Sequence, residues 1–148
     1  MAITVAAATA IYDGPTATKE AHVLLGWREK EKVWCLIGGR QEGDESTEQT
    51  AVREVLEEAG ITIKAPLEPI SFHTGEHDPK TNVHGVHHYV VLNYAAEVKN
   101  LYPKLPTPID PAITDFMWAD LSDISQWKFP IWPTCRNALH RLIELKEW

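Results

Sequence analysis

Cysteine is scarce in this chain: Cys35 and Cys135 are the only two among 148 residues, too few for a disulfide framework. A chain of this length buries roughly two-thirds of its extended surface and needs no covalent or metal staple. The two thiols read as buried and free in a reducing cytoplasm. Long apolar runs are also missing, and none approaches the roughly 20 residues of a membrane-spanning helix. Met1 to Ala10 lacks the basic leader of a signal peptide. A cytoplasmic location with no membrane partner is therefore expected. Basic residues are in deficit, 14 against 21 acidic, for a formal charge of −7. That balance argues against a nucleic-acid partner. It leaves room for a small phosphate-bearing ligand, because a bound divalent cation reverses the local sign. No internal repeat or low-complexity tract interrupts the chain. With 44% hydrophobic and 24% charged residues, residues 1–148 are expected to form a single globular domain.

What is present reads as strands interspersed with two helices. Ile3 to Tyr12 is small, β-branched and apolar, a buried strand closed by the turn Asp13-Gly14-Pro15. Ala21 to Trp27 is a second strand, and the charged connection Arg28 to Lys32 leads into Val33 to Ile37, where Gly38-Gly39 breaks the pattern. Ser46 with Gln49 predicts a helix-opening capping box, and Gly60 a left-handed stop. Between them Ala51, Val52, Val55 and Leu56 form an apolar stripe. Ile61 to Ile63, Ile70 to Phe72, His88 to Ala96 and Phe116 to Ala119 read as further strands. Leu101 to Pro111, which holds four of the ten prolines, reads as an ordered surface loop. Cys135, Ala138, Leu139, Leu142 and Ile143 mark a closing amphipathic helix. The fold class expected is α/β, a mixed sheet packed against helices.

Charge is concentrated in one place. Glu42 to Glu58 holds seven acidic residues and one basic, Arg53, so its local charge of −6 accounts for nearly all of the −7. On the helix Glu54 and Glu58 stack one turn apart, and like charges at that spacing destabilise by a few tenths of a kcal/mol or more when partly buried. A helix that keeps them beside an apolar stripe calls for a compensating cation. Clustered carboxylates are hard ligands suited to Mg2+ or Mn2+. The Gly-Gly step before the helix lets backbone carbonyls approach such an ion. Three glutamates alone are also compatible with an ordinary solvated acidic helix.

The full spacing separates these readings. Gly39, five residues, Glu45, seven residues, then Arg53-Glu54-Val55-Leu56-Glu57-Glu58-Ala59-Gly60-Ile61 matches the Nudix box at each defining position, a chance event of roughly 10⁻⁶ or less. The chain therefore resembles the Nudix hydrolase family, of the MutT-like kind. The likeness extends to Ala21–Arg28, Trp34–Gly39 and the Trp118-Ala-Asp-Leu segment. Ile37 stands where many members have proline, which removes no ligand. The resemblance implies a Nudix fold, an α/β/α sandwich, and metal-dependent hydrolysis of a nucleoside diphosphate linked to another moiety. Carried over by position, Glu54 and Glu58 are the principal metal ligands, Glu57 supports a further ion and Gly38 offers its carbonyl. Glu54 is also a candidate general base, and Arg53 orients the loop and carboxylates with Glu45 as partner. The leading substrate class is a nucleoside triphosphate, cleaved to monophosphate and pyrophosphate. The alternative is a nucleoside-diphosphate sugar or dinucleoside polyphosphate, and a non-catalytic nucleotide-binding module is a third reading. Because dimers are common in the family, a homodimer is admitted.

Outside the box the residues carry two readings each. Some members add a loop carboxylate, for which Glu76 and Asp78 are available, although both suit ordinary loop solvation. His73, His77, His84, His87 and His88 invite a metal reading, but no Cys or His partner stands at ligand spacing, and His88 is better used at a substrate pocket. Arg28 is either a phosphate contact or a surface arginine in a charged turn. Trp118, Trp127 and Phe129 are either stacking platforms for a base or members of the core.

Overall fold

The computed structural model describes residues 2–76 and 87–148. Strand β1 (Ala2–Asp13) is followed by β2 (His22–Arg28), β3 (Val33–Cys35), β4 (Ile37–Arg40), helix α1 (Thr47–Ala59), β5 (Glu68–Glu76), β6 (His87–Glu97), β7 (Asp115–Asp120), a 3-10 segment (Leu121–Gln126) and α2 (Pro133–Lys146). The sheet runs β3-β2-β1-β6-β5, with β4 also paired to β1 and β7 to β2. Pairing of β1 with β6 is parallel and the rest antiparallel, so the sheet is mixed.

Alternation along β1 assigns the two helices to opposite faces. Ala7 pairs with Gly39, whose Cα lies against Glu54 of α1. Thr9 pairs with Tyr94, whose hydroxyl bonds Thr47 at the start of α1. Tyr12, on the other face, receives α2: Lys146 Nζ lies 5.7 Å from its ring centre and Trp148 packs edge-on at 5.2 Å. The result is an α/β/α sandwich, as expected.

Helix α1 begins and ends as its sequence dictates. Ser46 accepts from Gln49 N, the Gln49 side chain accepts from Ser46 N, and Gly60 closes the helix at φ 67°. An N-cap of this kind contributes about 1 kcal/mol.

Four local expectations are revised. Gly38 and Gly39 do not break the strand pattern but continue it as β4, because main-chain pairing with Ala7 and Ala8 needs no side chain. Leu56 is 50% exposed; one residue beyond Val55 it is rotated about 100° away. The buried face is Thr50, Ala51, Val55, Glu58 and Ala59. Ile61 to Ile63 forms no strand, and Ile63 enters the core without a ladder partner. The 3-10 segment, capped by Asp120 through Ser122 N, was not foreseen. The Leu101–Pro111 loop is pinned instead by side chains, as described below. Among the described residues no helix is long and apolar enough to cross a membrane.

Candidate active site

Arg53 organises the acidic segment. Its Nε and Nη2 donate to the two carboxylate oxygens of Glu45 at 3.1 and 2.7 Å, a planar two-bond fork. Nη1 donates to Glu54 Oε1 at 2.8 Å and Glu57 Oε2 at 3.1 Å, and Nη2 also reaches the Arg40 carbonyl at 2.8 Å. Glu45 accepts further bonds from Glu42 N and the Thr50 hydroxyl, both at 2.8 Å. These donors, Arg53 first, pull the Glu45 carboxyl down to about 2. The same carboxylates hold the Arg53 guanidinium well above its ordinary value. Loop, strand β4 and helix are thereby tied to one cation.

Glu54 meets the sheet at Gly39. A Cβ at that position would overlap the Glu54 carboxylate, so only glycine lets the acid lie against the β4 backbone. Gly38 sits beside it on β4, paired with Ala8.

Glu58 is the anomaly. It is 2% exposed, and its Oε1 has no hydrogen-bond partner. Burial first, then the Glu54 charge, raises its carboxyl well above the usual carboxylate range; Arg28 opposes this and Asp110 adds to it. An ionised carboxylate buried without a partner is costly, and two acids at one site favour sharing a proton or a cation. Hard oxygen donors around a buried, unsatisfied carboxyl oxygen fit Mg2+ or Mn2+. Among the described residues no three such groups already converge as a closed shell, because Arg53 draws Glu54 and Glu57 toward itself.

The other expected residues are dispersed. Arg28 is ion-paired to Glu31 at 3.3 Å, lies over the Trp132 ring, and acts electrostatically on Glu58. Trp118 sends its indole N–H to the Lys104 carbonyl at 2.7 Å and packs on Tyr102, which stacks on His22 at 4.0 Å. Trp127 donates to the Asp120 carbonyl at 3.0 Å and packs on Phe129 at 4.9 Å. The three predicted platforms are thus engaged in the chain's own packing. His73 bonds the Asn93 side chain at 3.2 Å, and burial lowers its pKa. Its position on β5 opposite Val91 puts it on the face away from His88, which pairs with Glu76. His77, Asp78 and His84 lie outside the described residues, as do the side chains of Glu76 and His87.

Sequence reasoning missed Asp110. The proline-rich loop is anchored through Tyr102 and Trp118, Ile109 reaches the Gly60 turn, and the Asp110 charge acts on Glu58. A single aspartate among prolines carries no local signal, and only the loop's path brings it to the helix.

The family model for the NUDIX domain matches residues 3–142, and the chain belongs to the Nudix family. It is a Nudix hydrolase by that membership, a class that generally uses divalent metal ions. Among solved structures, a MutT NUDIX hydrolase from Burkholderia pseudomallei is similar at 23% identity and TM-score 0.69, covering 96% of this chain and 99% of that one. An Ap4A hydrolase from C. elegans matches at 22% and 0.71, over 97% of this chain and 98% of that one. The NUDIX domain of Shewanella oneidensis NrtR, solved with ADP ribose, matches at 20% and 0.73, over 99% and 90%. At these identities the likeness is one of fold. No curated protein matches the chain.

Proposed function

We propose that the chain hydrolyses nucleoside diphosphate derivatives, with a nucleoside triphosphate as its leading substrate and pyrophosphate and a monophosphate as products. The observation that carries this reading is the buried Glu58 carboxyl with one oxygen unsatisfied beside Glu54. In this reading Glu54, Glu57, Glu58 and the Gly38 carbonyl hold Mg2+ or Mn2+, which when bound neutralises phosphate oxygens and acidifies water. Glu54, lying against Gly39, takes the proton of the attacking water. Arg53 fixes the carboxylates through Glu45, and Arg28 meets the substrate's phosphates. Glu76 and Asp78 stay the candidates for a loop carboxylate, and Asp110, whose charge acts on Glu58, joins them. Residues 1–148 work as one unit in a reducing, cytoplasmic setting where Cys35 and Cys135 stay free.

The test is a panel of nucleoside triphosphates, nucleoside-diphosphate sugars and dinucleoside polyphosphates with Mg2+ or Mn2+. Pyrophosphate from a triphosphate is the expected product, whereas a nucleoside monophosphate with a sugar phosphate, or two nucleotides that share the phosphates of a dinucleoside polyphosphate, would favour the alternative. With the best substrate, Glu58→Gln is expected to lower turnover by about 100-fold or more. Unchanged turnover in that variant rejects the metal-site assignment.

A further inference from the structure

Arg28 closes β2, where its charge is felt by Cys35 and Glu58, and two further groups meet its guanidinium. Its Nε donates to Glu31 Oε2 at 3.3 Å, and its guanidinium carbon lies 5.5 Å from the centre of the Trp132 ring. Among the described residues Glu31 is its one ion-pair partner, and that carboxylate is itself a third exposed. A flexible arginine bound by a single exposed acid keeps much of its rotamer freedom. A flat ring removes it, because the planar cation lies on the indole face.

Trp132 is itself well fixed. Its N–H reaches the Trp34 carbonyl at 3.4 Å, and its own carbonyl accepts from Cys135 N and Arg136 N at 3.0 and 3.1 Å where α2 begins. Yet 36% of the residue is exposed, and its ring has none of the deep burial that marks a core anchor. This contrasts with Trp118 and Trp127, whose indole N–H groups are given to backbone carbonyls. The ring's evident contact is the Arg28 guanidinium, whose charge acts on Glu58.

We propose that Trp132 is a positioning residue, whose indole face aims the Arg28 guanidinium at the diphosphate of the substrate. The proposal deepens the hydrolase reading and rests on its placing of Arg28 at the phosphates. It assigns the aromatic segment a role in ordering a cation, distinct from stacking a base.

The experiment is calorimetric titration of the full chain with methylenediphosphonate in excess Mg2+, which reads binding without turnover. Trp132→Leu is expected to weaken binding by about fivefold, while Trp132→Tyr, which keeps a ring, stays close to wild type. Combined with Arg28→Ala, Trp132→Leu is expected to add nothing, since the ring acts only through the arginine. Trp132→Gln, compatible with an exposed helix start, replaces the leucine variant if that fails to fold. Equal affinities for the Leu and Tyr variants, full additivity in the double variant, or no binding to wild type each overturn the proposal. Loss of all nucleotide turnover with this binding pattern intact would reject the hydrolase reading and leave the positioning role standing.

Discussion

Around Arg53, five hydrogen bonds join one guanidinium to three glutamates and a backbone carbonyl. Around Trp118 and Trp127, each indole N–H goes to a single carbonyl of its own neighbourhood. The acidic region is tied together by shared charge and still leaves one buried oxygen unsatisfied, at Glu58. The aromatic region is held by many neutral contacts, and its indole N–H groups are matched. Among the described residues the Thr9 hydroxyl is likewise buried without a partner, but only Glu58 would carry a charge there, and a gathering of rings shows no such imbalance.

Substitutions can break that contrast. The largest effect is expected from Arg53→Ala, which strips Glu45, Glu54 and Glu57 of their common cation; unfolding in urea should show a loss of about 2 kcal/mol, as for hydrogen bonds to charged groups. A loss below about 1 kcal/mol, the worth of an ordinary surface pair, would mean the hub is not cooperative. Gly39→Ala should cost less stability, about 1 kcal/mol or below, because the Cβ meets the movable end of the Glu54 side chain and no backbone. It should also lower turnover about 100-fold by displacing Glu54, an effect of the order that misplaced catalytic groups produce. A variant that is destabilised but fully active would separate Glu54 from the chemistry.

On the aromatic side, Trp118→Phe removes one hydrogen bond to Lys104, and a loss of about 1 kcal/mol with unchanged KM is expected. A raised KM would show that this ring touches the ligand after all. The last test is the effect of pH on the Arg53–Glu45 fork. The Glu45 carboxyl titrates at about 2 when folded against an ordinary 4.5, so its contribution is complete above the unfolded value and is lost as pH falls from there toward about 2. Thermal melts of wild type and Glu45→Gln across that window should converge at the acid end.

How much of this could be read from the chain differs by region. The box residues are local in sequence, and capping, helix period and charge fix their relative positions before any tertiary contact forms. Helix α1 therefore runs where Ser46 and Gly60 mark it. Leu56 was misjudged because hydrophobicity without the sheet's position does not set the helix phase, and the buried residue there is Glu58. Gly38-Gly39 looked like a break because glycine's turn preference is local, whereas its strand pairing with β1 is supplied from thirty residues away. Asp110 and Trp132 were illegible as site neighbours for the same reason. Each is placed by a loop path or a helix start fixed by distant partners, His22 and Tyr102 in one case and Trp34 in the other.

The missing side chain at Gly39 has one more consequence. With the Glu54 carboxylate lying directly against the β4 backbone, the sheet itself becomes the depth stop for anything that carboxylate grips. A methyl group there would push that carboxylate outward from the sheet. Depth and direction of the acid are thus set separately, the first by an absent side chain on β4 and the second by the Arg53 guanidinium.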